Sequence, residues 1–219
     1  MLKAVVHDRP FQDRTDAGRQ LANRLRHYAN RPDTLVLGLP RGGVPVAYEV
    51  ALALRAPLDV CLVRKLGVPD HKELALGAIA SGGVRVLNTR VVEGLAISAS
   101  AIDAITAQEL QELQRRDRAY RGDRPQPIIC DRTVILVDDG IATGATMRAA
   151  ISVIRPQQPA RLVVAAPVAA PLVCGDLSLD VDEIVCVVTP DKLSAIGCWY
   201  TDFSQTTDAE VSQLLANQF

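Results

Sequence analysis

Short, mostly apolar runs alternate with longer stretches in which apolar residues recur every three or four positions. The short runs lie at residues 34–39, 59–63, 134–137, 161–166 and 183–188 and are rich in Val, Ile and Leu. Such runs, without a period of two, predict strands buried on both faces. Residues 13–29 place Ala17, Leu21, Leu25 and Tyr28 on one helical face, with Asp13, Thr15 or Asp16 as cap. Further helices are predicted from the first strand's loop to about Leu54, from the loop after Val137 to Ile154, and over 167–174 with Pro171 in its first turn. A last helix covers 204–219, capped by Thr207 or Asp208 and burying Val211, Leu214 and Leu215. Strands alternating with helices give an α/β fold: a five-stranded parallel sheet with helices on both faces.

Residues 67–127 break that alternation. Residues 67–73 are polar and hinge-like, 74–80 read as a strand, Ser81-Gly82-Gly83 as a turn, and 84–87 as the return strand of a hairpin. A helical turn at 89–94 precedes a helix over 98–120. Its apolar stripe is Ile102, Ile105, Leu110, Leu113 and Tyr120; Glu109, Glu112, Arg115, Arg116 and Arg118 cover the solvated face. Residues 121–127, with Gly122, Pro125 and Pro127, lead back to the core. The reading is one domain over 1–219, with a short lead-in at 1–10, a loop and helical excursion at 67–127 forming a small hood, and a C-terminal tail at 189–219.

Composition narrows the function classes. Hydrophobic residues make up 48% of 219 and aromatics only 4%, so the core is aliphatic. Net charge is −1 with no block of like charge, which argues against a nucleic-acid partner. The five cysteines are scattered without a Cys-x-x-Cys, as expected for thiols in a reducing compartment. No apolar run approaches the ~18 residues of a membrane span, and no signal-peptide core is present. The expectation is a soluble, cytoplasmic protein without a membrane partner.

The candidate chemistry centres on 134–147, Val-Ile-Leu-Val-Asp-Asp-Gly-Ile-Ala-Thr-Gly-Ala-Thr-Met. A buried strand delivers two acids, Asp138 and Asp139, and a small-residue loop then opens a helix. The loop's N–H groups and the helix dipole suit a phosphate, and Thr143 and Thr146 add hydroxyls. Larger residues at Gly144 and Ala145 would push the phosphate off the backbone. The acids repel phosphate and suit sugar hydroxyls or a cation. No Gly-Lys-Ser/Thr follows, so this is not a Walker loop. A second strand–loop–helix unit carries Arg41-Gly42-Gly43, where a guanidinium and flexible backbone can surround an anion. Arg64-Lys65 ends the predicted third strand, at the sheet end where open α/β sheets bind ligands.

The stretch at 134–147 resembles the phosphoribosyl-pyrophosphate (PRPP) loop of type I phosphoribosyltransferases, and the resemblance extends across most of 34–203. It implies transfer of a 5-phosphoribosyl group from PRPP to a nucleobase-like acceptor, with release of pyrophosphate and Mg2+ as cofactor. It assigns Ala142, Thr143, Gly144, Ala145 and Thr146 to the 5-phosphate. Asp138 and Asp139 go to the ribose hydroxyls and to metal, directly or through water. Arg41, Gly42 and Gly43 go to pyrophosphate, with Arg64 and Lys65 as further catalytic cations. The family's pyrophosphate loop often carries an unusual cis peptide. Residues 67–73 would be its closing loop, with His71 or Lys72 near the pyrophosphate.

The tail contains Pro190-Asp191-Lys192-Leu193 and then Trp199, Tyr200 and Phe203. It is loosely similar to the base-binding region of hypoxanthine–guanine phosphoribosyltransferases. Leu193 and Trp199 would then bind the acceptor; alternatively the aromatics anchor the tail to the core. Two departures count against a 6-oxopurine acceptor. Ala142 stands where those enzymes carry Asp, and strand 161–166 ends in Ala-Ala-Pro where they offer Lys. Homodimers are common in such families. The same residues also suit a PRPP- or nucleotide-sensing regulator on this fold.

Overall fold

The computed structural model describes residues 11–68 and 71–217; the side chains of 71–74 lie outside that description, as does the predicted lead-in at 1–10. In chain order the elements are α1 (Arg14–Arg24), β1 (Thr34–Gly38), α2 (Gly43–Leu54), β2 (Leu58–Val60), β3 (Val63–Val68), β4 (His71–Ala80), β5 (Arg85–Leu87), α3 (Thr89–Gly94), α4 (Ala99–Arg121), β6 (Thr133–Val137), α5 (Ala145–Ile154), β7 (Arg161–Val168), α6 (Pro171–Leu177), β8 (Glu183–Val188) and α7 (Asp208–Ala216).

Five strands form one sheet in the order β2-β1-β6-β7-β8, every neighbouring pair parallel. Alternate side chains sort to its two faces, as strand geometry requires. Val36, Ile135, Val137 and Val163 join α1 and α2 in one core; Leu35, Leu37, Val134, Leu136 and Leu162 join α5 in the other. Successive connections from β1 run outward to β2 and, after the excursion, back to β6 on β1's other side. The crevice between the loops after β1 and β6 is therefore a topological switch point, where such sheets take ligands.

Strands β3, β4 and β5 form a separate antiparallel sheet, the hood. α4 packs on it and α7 packs on α4. Arg121, at the end of α4, ties the hood back to the core: its Nη2 donates to Asp59 of β2 at 3.1 Å and to the Val60 carbonyl at 3.2 Å.

Three expectations need correction. The third core strand ends at Val60, and Arg64 and Lys65 belong to hood strand β3 rather than to a core-strand end. The apolar run at 59–63 hides a change of sheet. Residues 67–73, expected as a hinge-like loop, partly extend the hairpin, with register irregularities around Gly67; residues 69–70 lie outside the description. Pro167 sits inside β7, which runs to Val168, rather than opening a helix. Pairing with β6 ends at Val137↔Ala165, and pairing with β8 passes from Ala166↔Cys186 to Val168↔Val188 without position 167, so the missing N–H falls where neither ladder uses it. Helix α6 begins instead at Pro171, where a proline's missing donor costs nothing.

Among the described residues no helix is long and apolar enough to cross a membrane.

Candidate active site

The two acids after β6 lie against the start of α2. A Cβ on Gly42 would overlap the Asp139 carboxylate, and one on Gly43 would stand 2.6 Å from the Val137 carbonyl and 3.1 Å from Asp138 Oδ1. Only glycine at both positions lets the two loops approach this closely. The Pro40–Arg41 peptide, which the sequence alone left open, is cis. Asp138 Oδ1 accepts the Asp139 N–H at 2.9 Å.

Asp139 has a partner that sequence reasoning missed. Arg14, in the first turn of α1, donates from Nε at 2.8 Å and places Nη2 at 2.7 Å from the same carboxylate oxygen. Arg14 also donates to the Ser204 carbonyl at 2.7 Å and lies 4.0 Å over the Phe203 ring. Tyr200 O–H donates to the Asp139 carbonyl at 2.6 Å. The N-terminal helix, the acid pair and the tail thus converge on one guanidinium. Burial, then the charge of Asp139, raises the Asp138 carboxyl well above the ordinary Asp range. Burial also raises Asp139, and Arg14 opposes that shift. Asp139 is therefore the member held as a carboxylate, and Asp138 is the readier to keep a proton.

Beyond the acids the loop from Gly140 bends into α5. Gly144 caps the helix with φ 72°, a conformation glycine adopts without strain. The loop and Asp138 wall a cavity of about 190 Å³ that includes Ala142, Thr143, Ala145 and Thr146. Those four residues are solvent-exposed, while Gly144 is buried. Thr143 Oγ1 accepts the Ala145 N–H at 3.4 Å. First-turn N–H groups such as that of Thr146 have no carbonyl within their own helix to accept them, so they are open to an anion. Ile196, from the tail, closes the cavity's far side. It was not singled out from sequence; only its place just before the aromatic cluster hints at it.

The other candidates are more dispersed. Arg41 is half-exposed, with Nη1 3.8 Å from Asp208 at the start of α7. Arg64 donates from Nε to Glu109 of α4 at 2.6 Å. Lys65 lines a second cavity, which also touches Thr143 and Ala145. The side chains of His71 and Lys72 lie outside the description. Leu193 and Trp199 pack in a cluster with Phe11, Ala17, Val168 and Tyr200. The Tyr200 ring lies 5.4 Å from Phe11 and 4.9 Å from Phe203, so these aromatics anchor the tail to α1 and the core. Among the described residues, no group of three or more His, Cys, Asp or Glu side chains forms a ready-made metal cage.

A parallel α/β sheet with an acid pair and a small-residue loop at its switch point belongs to the class of α/β proteins that take ligands at the carboxyl ends of their strands. The phosphoribosyl transferase domain model matches residues 11–176, and the chain belongs to that family of glycosyl-transferring enzymes. It is 49% identical over 205 residues to the Mycobacterium tuberculosis protein named "Putative phosphoribosyl transferase Rv0571c", covering 94% of this chain and 46% of that one. The chain thus spans about half the length of the curated relatives it matches. Among solved structures, TT1426 from Thermus thermophilus is 42% identical, covers 95% of this chain and 99% of its own, and has a TM-score of 0.87. AQ2163 from Aquifex aeolicus shares the fold alone, at 13% identity over 84% of this chain and 76% of its own, with a TM-score of 0.50.

Proposed function

We propose that this chain transfers a 5-phosphoribosyl group from PRPP to a nucleobase-like acceptor and releases pyrophosphate. The observation that carries the reading is the shared cavity, in which Asp138 faces the same space as the exposed backbone and hydroxyls of 142–146. A sugar whose terminal phosphate rests on that loop has its ring hydroxyls within the reach of the acid. Gly42 and Gly43 bring the loop after β1 against the same acids, so a pyrophosphate on that loop lies beside the ribose.

The reaction follows from these positions. The acceptor's lone pair forms a bond to C1 of the ribose, the C1–O bond to pyrophosphate breaks, its electron pair leaves with pyrophosphate, and the proton shed by the acceptor nitrogen passes to pyrophosphate or water. The sugar is cation-like between the two events, so alignment and nearby negative charge supply most of the catalysis. Asp138 orients a ribose hydroxyl, and Asp139, fixed by Arg14, adds negative charge beside it. Arg41 supports the departing anion. Once Asp138 gives up its proton, as metal binding requires, the pair would fit Mg2+, which is commonly held by one or two carboxylates plus substrate oxygens and water. When bound there it neutralises the leaving group. Ala142 offers no side chain to take a proton from the acceptor, which supports an acceptor other than a 6-oxopurine.

The test is a screen of nucleobases with PRPP and Mg2+, reading pyrophosphate release. Turnover with one of them is expected, and Asp138→Asn combined with Asp139→Asn should eliminate it with the circular dichroism unchanged. Full turnover in the double variant would remove the ribose assignment. Saturable PRPP binding without turnover on any base would replace the enzyme reading with a sensor.

A further inference from the structure

We propose that the cavity between the hood and α5 is a second ligand site, taking a flat aromatic molecule that carries an anionic group. It goes beyond the transfer reaction and does not depend on it. The cavity measures about 360 Å³. That lies within the range of small-molecule sites, about 300–1,000 Å³.

Its lining specifies the ligand. Lys65 from β3 and Arg148 from α5 line it; Lys65 is already engaged within the protein, so Arg148 is the cation on which the anion preference rests. Arg148 meets Asp176, outside the cavity, at 3.2 Å. Both members of that pair are exposed. An exposed pair of this kind is weak, so an incoming anion can compete for the guanidinium. Small residues line it between those two: Gly77 and Ala78 on β4 and Ala149 on α5. Small side chains on two opposed surfaces leave a slot, and a planar ring fills a slot with the most contact. Asn88 and Ser152 add hydrogen-bonding groups at its margin.

The slot adjoins the phosphate loop and does not reach the acid pair. Asp138, Gly140 and Ile196 line the other cavity and not this one; the two share Thr143 and Ala145 alone. The phosphate loop is thus a common wall, with a different ligand expected on each side. An occupant of the slot bears on the loop without occupying the place of PRPP.

The probe is 8-anilinonaphthalene-1-sulfonate, titrated into the folded chain by fluorescence and calorimetry, with uncharged phenylnaphthylamine as control. Saturable binding at one site per chain is expected, with the uncharged compound much weaker. Arg148→Glu should weaken binding by about tenfold or more, as expected for loss of a charge-assisted contact. Ser152→Phe and Ala149→Leu, which fill the slot, should abolish it while thermal melts confirm folding. Saturating PRPP should not displace the probe. No saturable binding, equal binding of the uncharged compound, competitive displacement by PRPP, or indifference to both slot-filling variants would each overturn the assignment. Failure of PRPP to bind at all would count against the transferase reading and leave this one standing on the probe.

Discussion

The chain carries two pairs of adjacent charged residues that its sequence pattern places at core-strand ends, and the fold treats them in opposite ways. Asp138 and Asp139 follow β6, the middle strand of the parallel sheet, and are enclosed by Gly42, Gly43, Arg14 and Tyr200. Arg64 and Lys65 lie on β3, in a hood sheet whose strand is only partly buried. The acids are held from several separate segments of chain, whereas Arg64 meets a single exposed-face carboxylate on α4. A site at the end of a buried parallel strand is fixed by its surroundings; a cation on the hood keeps room to change partners.

The largest effect expected on the acid side comes from Arg14→Ala. The pair is mostly enclosed, with side-chain exposures of 12% for Arg14 and 16% for Asp139. Removing one partner of such a pair leaves the other charge uncompensated and costs about 2–4 kcal/mol, somewhat below the fully buried case. Urea unfolding measures it. Arg14→Lys should recover part of the loss, since a single ammonium replaces the charge but not the fork. A change under about 0.5 kcal/mol for Arg14→Ala, the range of ordinary surface substitutions, would mean that the acid pair needs no clamp.

A pH effect should separate the two acids from each other. The Asp138 carboxyl is raised in the folded chain by burial and by its neighbour. Between its unfolded and folded values the native state holds the extra proton. Its contribution to stability is therefore complete below the ordinary Asp range and is lost as pH rises through the folded value. Asp138→Asn removes this dependence. The difference in unfolding free energy, wild type minus variant, should accordingly fall as pH rises from the acid range toward neutrality. The comparison must be a difference, because Asp33 and Asp182, whose carboxyls are lowered, impose the opposite slope in both proteins. A flat difference would place the proton elsewhere.

The same contrast explains what could be read from the residues. β1, β6 and β8 were legible because each is an unbroken apolar run meeting a Gly or acid boundary, and the glycine-flanked loops after β1 and β6 followed from them. The sheet change after Val60 was not legible. Cys61 and Leu62 are as buried as the strand before them, so hydrophobicity does not mark where the chain leaves one sheet for another. Pro167 misled for a related reason: whether a strand tolerates proline depends on where its neighbour stops pairing, which is a tertiary fact. Arg14 lies on an amphipathic helix more than a hundred residues before Asp139, and nothing in local spacing distinguishes it from Arg19 or Arg24. Trp199, Tyr200 and Phe203 were legible as a group that something must cover, but not as a group whose contacts are Phe11 and Arg14.

The smallest effect is expected on the hood. Arg64 and Glu109 are a third and a quarter exposed, at 34% and 23%, so their ion pair is only partly enclosed, and less so than that of Arg14 and Asp139. Exposed pairs are worth under about 1 kcal/mol and are screened by salt, and a partly enclosed one falls between that and the buried case. Arg64→Gln should therefore change stability far less than Arg14→Ala, and the difference should vanish in concentrated salt. Its effect on turnover is the more telling measurement. If Arg64 exchanges Glu109 for the pyrophosphate when PRPP is bound, Arg64→Gln raises the KM for PRPP while leaving the unfolding midpoint nearly unchanged. Glu109→Gln should then lower that KM, because the competing carboxylate is gone. A stability loss matching that of Arg14→Ala would erase the distinction between the fixed acids and the movable cation. Unchanged KM values in both variants would keep the distinction but confine Arg64 to holding α4 against the hood.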